Sequence, residues 1–280
     1  NPYLDNDHAM NGHTGMVSYH SVIEAGPVAS GINKFTDDNF NNNGGTFDVA
    51  FDRMQYWNNI NDIFIDGVVA KSWQWTYNQL KSVDLASKQI TLKRGEINGI
   101  GSNKGSHFFF ENIVEELDQA GEFYIDRDKG LLFVYPGADF ANNKITMSVL
   151  SQPMISITGA QHLTFDGLTL DTGRNMAIKV KSSQFITIKN SVIRNFSLAG
   201  ILLNGENNAV SNNEIYNIGG YGVKTEGGTE AKFTKSAGSV VNDTLVTPVS
   251  LSAANNSVSH NVIHNFAWDQ KSQVPGIWLT

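Results

Sequence analysis

Three of the carboxylates in the last quarter of the chain are candidates for acid–base chemistry: Glu226, Glu230 and Asp269. Glu226 can pair with either Glu230 or Asp269. Hydrolysis of a glycosidic bond needs two carboxyl groups on opposite sides of the bond, one as acid and one as base or nucleophile. Taken singly, each of the three also fits an ordinary solvated surface carboxylate. The sequence therefore indicates them as candidate catalytic residues, provided that the fold brings two of them to one face.

Basic side chains accompany these carboxylates. Lys224 can act as the base of an elimination, which removes the proton next to the carboxylate of a uronic acid. Lys179 and Lys181 concentrate positive charge that would bind a uronate or a sulfate, or would serve only as solubilising charge. His264 can act as an acid or a base, and Arg194 precedes it in the same predicted column of outward residues.

Two further residues are predicted to contact a substrate. Trp278 is expected to point outward, either as a packing residue under a loop or as a platform on which a sugar ring stacks. Asn204 is expected beside Glu226 on the neighbouring repeat.

A sequence repeat of 22–23 residues would position these side chains. A short apolar strand recurs with its first residues 23, 23, 22 and 54 apart, at Ile155, Ile178, Ile201, Val223 and Ile277. The last gap corresponds to one repeat plus an insertion, the long loop at 227–255. Units of this length leave room for two or three short strands and none for a helix. They therefore predict an all-β fold, a parallel β-helix whose coils stack to bury a shared core.

Alternation along the strands assigns side chains to the two faces of the coil wall. Adjacent coils are about 4.8 Å apart, so equivalent residues should form columns. Two columns are predicted side by side on one face, Lys179–Leu202–Lys224–Trp278 and Lys181–Asn204–Glu226–Thr280. A third outward column is predicted to contain Asp171, Arg194, Tyr216 and His264.

The composition excludes several classes of protein. The net charge is −7, which argues against nucleic acid as a partner. The chain has no cysteine, hence no disulfide or thiolate metal site, and no apolar stretch long enough to span a membrane. The run Asp126–Gly130 looks like a calcium loop but lacks the third oxygen position and the distant glutamate. We predict no metal or cofactor, although calcium bridging a substrate carboxylate remains an alternative.

The chain divides into three parts by pattern. Residues 1–43 are polar and are expected to form early coils and loops of the β-helix. Residues 44–140 are predicted to form an antiparallel β-rich insertion, and residues 141–280 the coils. The chain begins without Met and stops within a predicted strand, so we expect it to be an interior part of a longer protein.

One segment resembles a known family. Residues 106–136, SHFFFENIVEELDQAGEFYIDRDKGLLFVYP, are similar to a segment of bacterial right-handed parallel β-helix proteins of carbohydrate metabolism. The repeat and the run Val274–Leu279 extend the resemblance, which covers more than half of the chain. It implies a right-handed coil and a secreted or periplasmic enzyme acting on a poly- or oligosaccharide. Related chains carry Gly-Gly-Asp-Arg where this chain has Gly-Gly-Thr-Glu at 227–230, so no catalytic aspartate is transferred to Thr229.

The resemblance includes glycoside hydrolases and, more widely, polysaccharide lyases. Hydrolysis by paired carboxylates is the preferred hypothesis. The alternatives are β-elimination on a uronic acid polymer, with Lys224 as base, and a non-catalytic β-helical adhesin or fibre that binds glycans.

Overall fold

The computed structural model describes residues 16–34, 36–50, 52–101, 106–228, 253–269 and 271–280. The chain forms two compact units, residues 1–144 and residues 145–280. Much of the long loop lies outside the described residues, and so does the candidate Glu230.

The first unit is built on antiparallel strands. Its described strands are β1 (Tyr19–Glu24), β2 (Thr46–Val49), β3 (Phe64–Val68), β4 (Thr76–Asp84), β5 (Gln89–Leu92), β6 (His107–Glu111), β7 (Phe123–Asp126) and β8 (Leu131–Val134). The first six form one sheet in the order β1-β2-β5-β4-β3-β6, and β7 and β8 form a separate hairpin. The predicted antiparallel region towards the N-terminus is therefore present. Strand β1 falls in the segment expected to form an early coil, yet it pairs antiparallel with β2.

Helical structure in the first unit is short. The helix α1 (Asp38–Asn42) begins after Asp37, whose carboxylate accepts a hydrogen bond from the backbone N–H of Phe40 at 2.7 Å. Single 3-10 turns are found at Arg53–Tyr56, Ile60–Asp62, Val114–Glu116 and Phe140–Asn142. The core of this unit includes Phe47 and Phe108, which are fully buried and meet edge to face with ring centres 5.4 Å apart.

The second unit is a parallel β-solenoid. Its described strands are β9 (Ile155–Thr158), β10 (Thr164–Asp166), β11 (Thr169–Gly173), β12 (Met176–Gln184), β13 (Thr187–Lys189), β14 (Val192–Phe196), β15 (Ala199–Glu206), β16 (Ala209–Ser211), β17 (Glu214–Ile218), β18 (Val223–Glu226), β19 (Ser257–Ser259), β20 (Val262–Phe266) and β21 (Ile277–Leu279). Every third strand pairs in parallel, which gives three sheets in the orders β9-β12-β15-β18-β21, β10-β13-β16-β19 and β11-β14-β17-β20. The parallel β-helix predicted from the repeat is confirmed.

The strand register confirms the first of the two columns predicted on this sheet and one pair of the second. In the five-stranded sheet Lys179 pairs with Leu202, Leu202 with Lys224, and Lys224 with Trp278. Asn204 pairs with Glu226 in the adjacent column. The inward residues between them, among them Ile178, Ile201 and Val223, are buried. The 22–23-residue step thus keeps these apolar residues inside and places Lys179, Leu202, Lys224 and Trp278 on the outer surface.

Asparagine supports both the corners and the interior of the coil. At one corner Thr172, Asn195, Asn217 and Asn265 follow one another with positive φ, a conformation that asparagine tolerates better than most residues. Inside the coil, the Asn213 carboxamide accepts a hydrogen bond from the backbone N–H of Ser191 at 3.0 Å. It also donates to the carbonyl of Ile188 at 3.0 Å. Such ladders satisfy backbone groups that the bends leave unpaired.

Candidate functional site

The candidate site centres on an ion pair within strand β18. Lys224 Nζ lies 2.6 Å from Glu226 Oε1, and the two side chains are 21% and 33% exposed. Residues two apart on a strand point to the same face, which allows this contact without distortion. On the next coil, the Trp278 ring lies beneath the ammonium, with its centre 4.7 Å from Nζ. The Lys224 ammonium therefore contacts both the Glu226 carboxylate and the Trp278 ring.

Asn204 contacts the second oxygen of Glu226 from the preceding coil. Its Nδ2 makes a long hydrogen bond of 3.4 Å to Glu226 Oε2, while its Oδ1 accepts from the backbone N–H of Ser182 at 2.9 Å. The glycine after Glu226, Gly227, has φ +155°, and a Cβ there would lie 2.1 Å from the carbonyl oxygen of Gly205. Only glycine allows this close approach of neighbouring coils at the residue that follows the strand.

Tyr221 extends the same surface, and sequence reasoning missed it. Its ring meets Trp278 edge to face, with centres 6.2 Å apart. Burial raises the pKa of the Tyr221 phenol, and the negative charge of Glu226 raises it further. The signal in the sequence was the run Gly-Gly-Tyr-Gly at 219–222, in which one aromatic ring stands among glycines at the turn into β18.

Asp269 belongs to the connection between β20 and β21. Its backbone N–H donates to the carbonyl of Gly219 at 3.1 Å, so the connection lies over the turn that precedes Tyr221. Although the residue reaches solvent, protein atoms crowd its carboxyl group and raise its pKa, with Lys271 opposing the rise. The neighbouring Trp268, also missed from the sequence, is 55% exposed.

Lys179 and Lys181 lie on the outer face of the same sheet. Lys179 is in the column of Lys224, separated from it by Leu202 on the intervening coil. Lys181 pairs in register with Thr158. Positive charge on this face is therefore found on two coils, those of β12 and β18.

His264 and Arg194 lie on a different sheet, the one formed by β11, β14, β17 and β20. The His264 ring stacks on Tyr216, with ring centres 5.0 Å apart and an angle of 6° between the planes. His264 Nε2 is 3.6 Å from Glu214 Oε1. The structure thus places this column apart from the Lys224–Glu226 pair.

The Arg194 guanidinium is already paired within that column. Its Nε donates to Asp171 Oδ2 at 2.9 Å, and its Nη1 donates to the Tyr216 hydroxyl at 2.9 Å. Side-chain hydrogen bonds between adjacent coils therefore hold Asp171, Arg194 and Tyr216 in line.

Within the described ranges, no group of three or more His, Asp or Glu side chains is arranged to hold a metal ion. In the same ranges, no helix has the length and apolar character needed to cross a membrane.

The comparisons with known proteins agree with the fold. Residues 153–279 match the family model described as "Right handed beta helix region". A solved structure titled "Glycoside hydrolase" is similar to this chain with a TM-score of 0.51 at 13% sequence identity, over 77% of this chain. At that identity the similarity shows the fold. The chain spans about half, 49%, of the length of that glycoside hydrolase. No curated protein matches the chain.

Proposed function

We propose that this protein is a carbohydrate-active enzyme that hydrolyses glycosidic bonds in a poly- or oligosaccharide. The observation that carries the proposal is the contact of Glu226 with Lys224 and Asn204 on the same outer face as Trp278 and Tyr221. A fixed carboxylate beside aromatic rings fits the chemistry of sugar recognition and cleavage. The glycoside hydrolase title of the similar structure supports the same class. We also propose that the protein is secreted or periplasmic.

In this proposal the two carboxylates have different roles. Glu226 is ion-paired with Lys224 and acts as the base or nucleophile. The raised pKa of Asp269 favours the protonated carboxyl, which is the form that donates a proton to the leaving oxygen. Glycosidases use such a division between an acid with a raised pKa and an ionised partner.

The surrounding residues position the substrate. Asn204 and Lys224 orient the Glu226 carboxylate through both of its oxygens. Trp278 and Tyr221 offer ring surface for the C–H face of a sugar. Lys179 and Lys181 offer positive charge on the same face, which would bind acidic substituents of a polymer.

The second candidate is β-elimination on a uronic acid polymer, and the lysines on this face favour it. Lys224 would then be the base. Its contacts with Glu226 and the Trp278 ring are those of a charged ammonium, whereas a base must be the neutral amine. Hydrolysis is therefore preferred.

The products distinguish these candidates. Incubation with neutral and uronate-containing polysaccharides should release new reducing ends without an unsaturated product that absorbs in the ultraviolet. An absorbing product would favour elimination instead. Binding of the polysaccharides without either product would favour a non-catalytic glycan-binding protein.

A further inference from the structure

Two lysines on the outer face of strand β12 carry charge that the described residues do not neutralise. Lys179 and Lys181 are two residues apart on the strand, so their side chains lie on the same face, on either side of the buried Val180. Neither ammonium makes an ion pair or a hydrogen bond within the described ranges. Lys189, on another sheet, instead lies 3.3 Å from Asp166. Among the described residues the positive charge at β12 is therefore uncompensated, although the net charge of the chain is −7.

Two hydroxyl side chains stand beside these lysines on the preceding coil. Ser156 pairs in register with Lys179, and Thr158 pairs with Lys181. Both are exposed, whereas Ile157 between them is buried, so the hydroxyls share the outer face with the ammonium groups. Neither hydroxyl has a hydrogen-bond partner in the part of the chain that the structure describes. Ser156, Thr158, Lys179 and Lys181 together form the β9–β12 patch.

The donors of the β9–β12 patch suit a negatively charged oxygen group. The four residues occupy an area of about 5 by 7 Å, which is set by the spacing of adjacent strands and of alternate residues. Ammonium and hydroxyl groups both donate hydrogen bonds, and the ammonium has no acceptor. A sulfate or a carboxylate supplies acceptor oxygens together with the negative charge that relieves the repulsion between two nearby ammonium groups. The patch therefore fits an oxyanion better than a neutral ligand.

The β9–β12 patch is in line with the proposed hydrolytic site. Lys179, Leu202 and Lys224 follow one another in register, so β12 lies two coils from β18, about 10 Å along the solenoid axis. An extended chain of pyranose rings advances by roughly one coil spacing, about 5 Å, per ring. A polymer with one ring at Glu226 therefore brings a substituent of the second ring beyond it to the patch. The uncharged, partly exposed Leu202 would lie beneath the ring in between.

We propose that the β9–β12 patch binds a sulfate or carboxylate substituent of the polysaccharide, on a ring two positions away from the ring at Glu226. The inference rests on the hydrolysis proposed for Glu226, and it adds the substrate class, an acidic polysaccharide that lies along the solenoid axis. Ser156 and Thr158 become substrate-binding residues. Lys224 is not part of the patch, because its ammonium already contacts the Glu226 carboxylate at 2.6 Å.

The test is a binding assay with two matched pairs of polymers. Polygalacturonate and its methyl ester differ in the charge of the carboxylate, and a sulfated galactan and its desulfated form differ in the sulfate. The full chain carries Asp269→Asn, which slows the proposed hydrolysis and keeps the pair of Lys224 with Glu226. Isothermal titration calorimetry at low ionic strength, where charge interactions are screened least, should show tighter binding of the charged member of at least one pair. The pair that differs identifies the substituent.

Replacement of the lysines shows whether the patch causes this preference. Lys179→Gln together with Lys181→Gln should weaken binding of the charged polymer roughly tenfold, the effect of losing two exposed charge contacts, and should leave binding of its neutral form unchanged. Lys179→Arg with Lys181→Arg keeps the charge and should retain most of the affinity. The control, Lys88→Gln with Lys189→Gln, removes the same charge from two ion-paired lysines on other sheets and should leave both affinities unchanged.

Replacement of the hydroxyls tests the other half of the patch. Ser156→Ala with Thr158→Val should weaken binding of the charged polymer about threefold, the effect of losing one net hydrogen bond. Equal affinity for the charged and neutral members of both polymer pairs would overturn the proposal, and so would equal weakening by the control pair of lysines. Full activity of Glu226→Gln would contradict the hydrolysis proposal and leave the charge preference intact, so the two proposals fail by different results.

Discussion

Lys224 and Glu226 are two residues apart on strand β18, and their charged atoms meet at 2.6 Å. The pair is local to one strand, while its other contacts come from the coils on either side. Asn204 reaches Glu226 from one coil and Trp278 lies against Lys224 from the other. Three consecutive coils therefore fix the orientation of one carboxylate, which is the kind of support that a catalytic group requires.

Replacement of Lys224 tests its role directly. Lys224→Met should lower kcat for hydrolysis by about 10- to 100-fold, because Glu226 loses its charged partner and its fixed orientation. Under elimination, the same change should abolish activity. Lys189→Met is the matched control, because Lys189 pairs with Asp166 on a different sheet. An unchanged kcat in Lys224→Met would contradict the proposed positioning.

The pH dependence of hydrolysis tests Asp269. Its pKa is raised, so the folded protein binds the proton more tightly than the unfolded chain does. As the pH rises through this raised pKa, Asp269 loses its proton and kcat/KM should fall. Asp269→Asn should lower the rate by about 100- to 10,000-fold and remove this basic limb. A basic limb that persists in the variant would assign the acid to another residue.

The raised pKa of Asp269 also predicts how the stability of the protein depends on pH. Ionisation of Asp269 is less favourable in the folded state than in the unfolded chain. The contribution of Asp269 to the free energy of unfolding therefore falls as the pH rises from the ordinary pKa of aspartate through the raised pKa of Asp269. The free energy of unfolding of Asp269→Asn should depend less on pH in that interval. Urea unfolding of both proteins at a series of pH values measures the difference.

The sequence was sufficient to predict the solenoid and its outward columns. A constant step of 22–23 residues fixes which residues are neighbours on adjacent coils, and one register satisfies the alternation of buried and exposed positions. The pairing of Lys179 with Leu202 and of Leu202 with Lys224 follows from that step alone, and the pairing of Lys224 with Trp278 follows once the insertion is allowed for. Such contacts are predictable because every coil repeats the same geometry.

The remaining parts of the site depend on departures from the repeat. Asp269 lies over Gly219 because the connection between β20 and β21 folds back there, and no periodic pattern indicates such a path. Tyr221 stands at a turn, where strand alternation no longer assigns a face.

The interior asparagine ladder should contribute measurably to stability. Asn213→Ala removes the partners of the Ser191 N–H and the Ile188 carbonyl, which are hydrogen-bonded at 3.0 Å each. The expected loss in the free energy of unfolding is about 1–3 kcal/mol, the cost of unsatisfied buried polar groups. Ser259→Ala changes an exposed residue of the same solenoid and is the control. Equal stability of the two variants would show that the ladder contributes nothing.

Trp278 should act in substrate binding rather than in the chemical step. Trp278→Ala removes the ring beneath Lys224 and the edge contact with Tyr221. KM should rise by roughly threefold to tenfold, because the loss of one aromatic contact weakens binding by about that factor. The change in kcat should be smaller. Trp278→Phe retains a ring and should recover most of the affinity. A rise in KM that is equal in the two variants would argue against a stacking role.

The most direct test of the account is the activity of Glu226→Gln on a polysaccharide that the unchanged protein cleaves. The substitution keeps the side-chain size and removes the charge. We predict that the release of reducing ends falls by at least about 100-fold, because the base or nucleophile is lost. Glu214→Gln, on another sheet, should retain full activity. Full release of reducing ends by Glu226→Gln would contradict the assignment of this carboxylate as a catalytic residue.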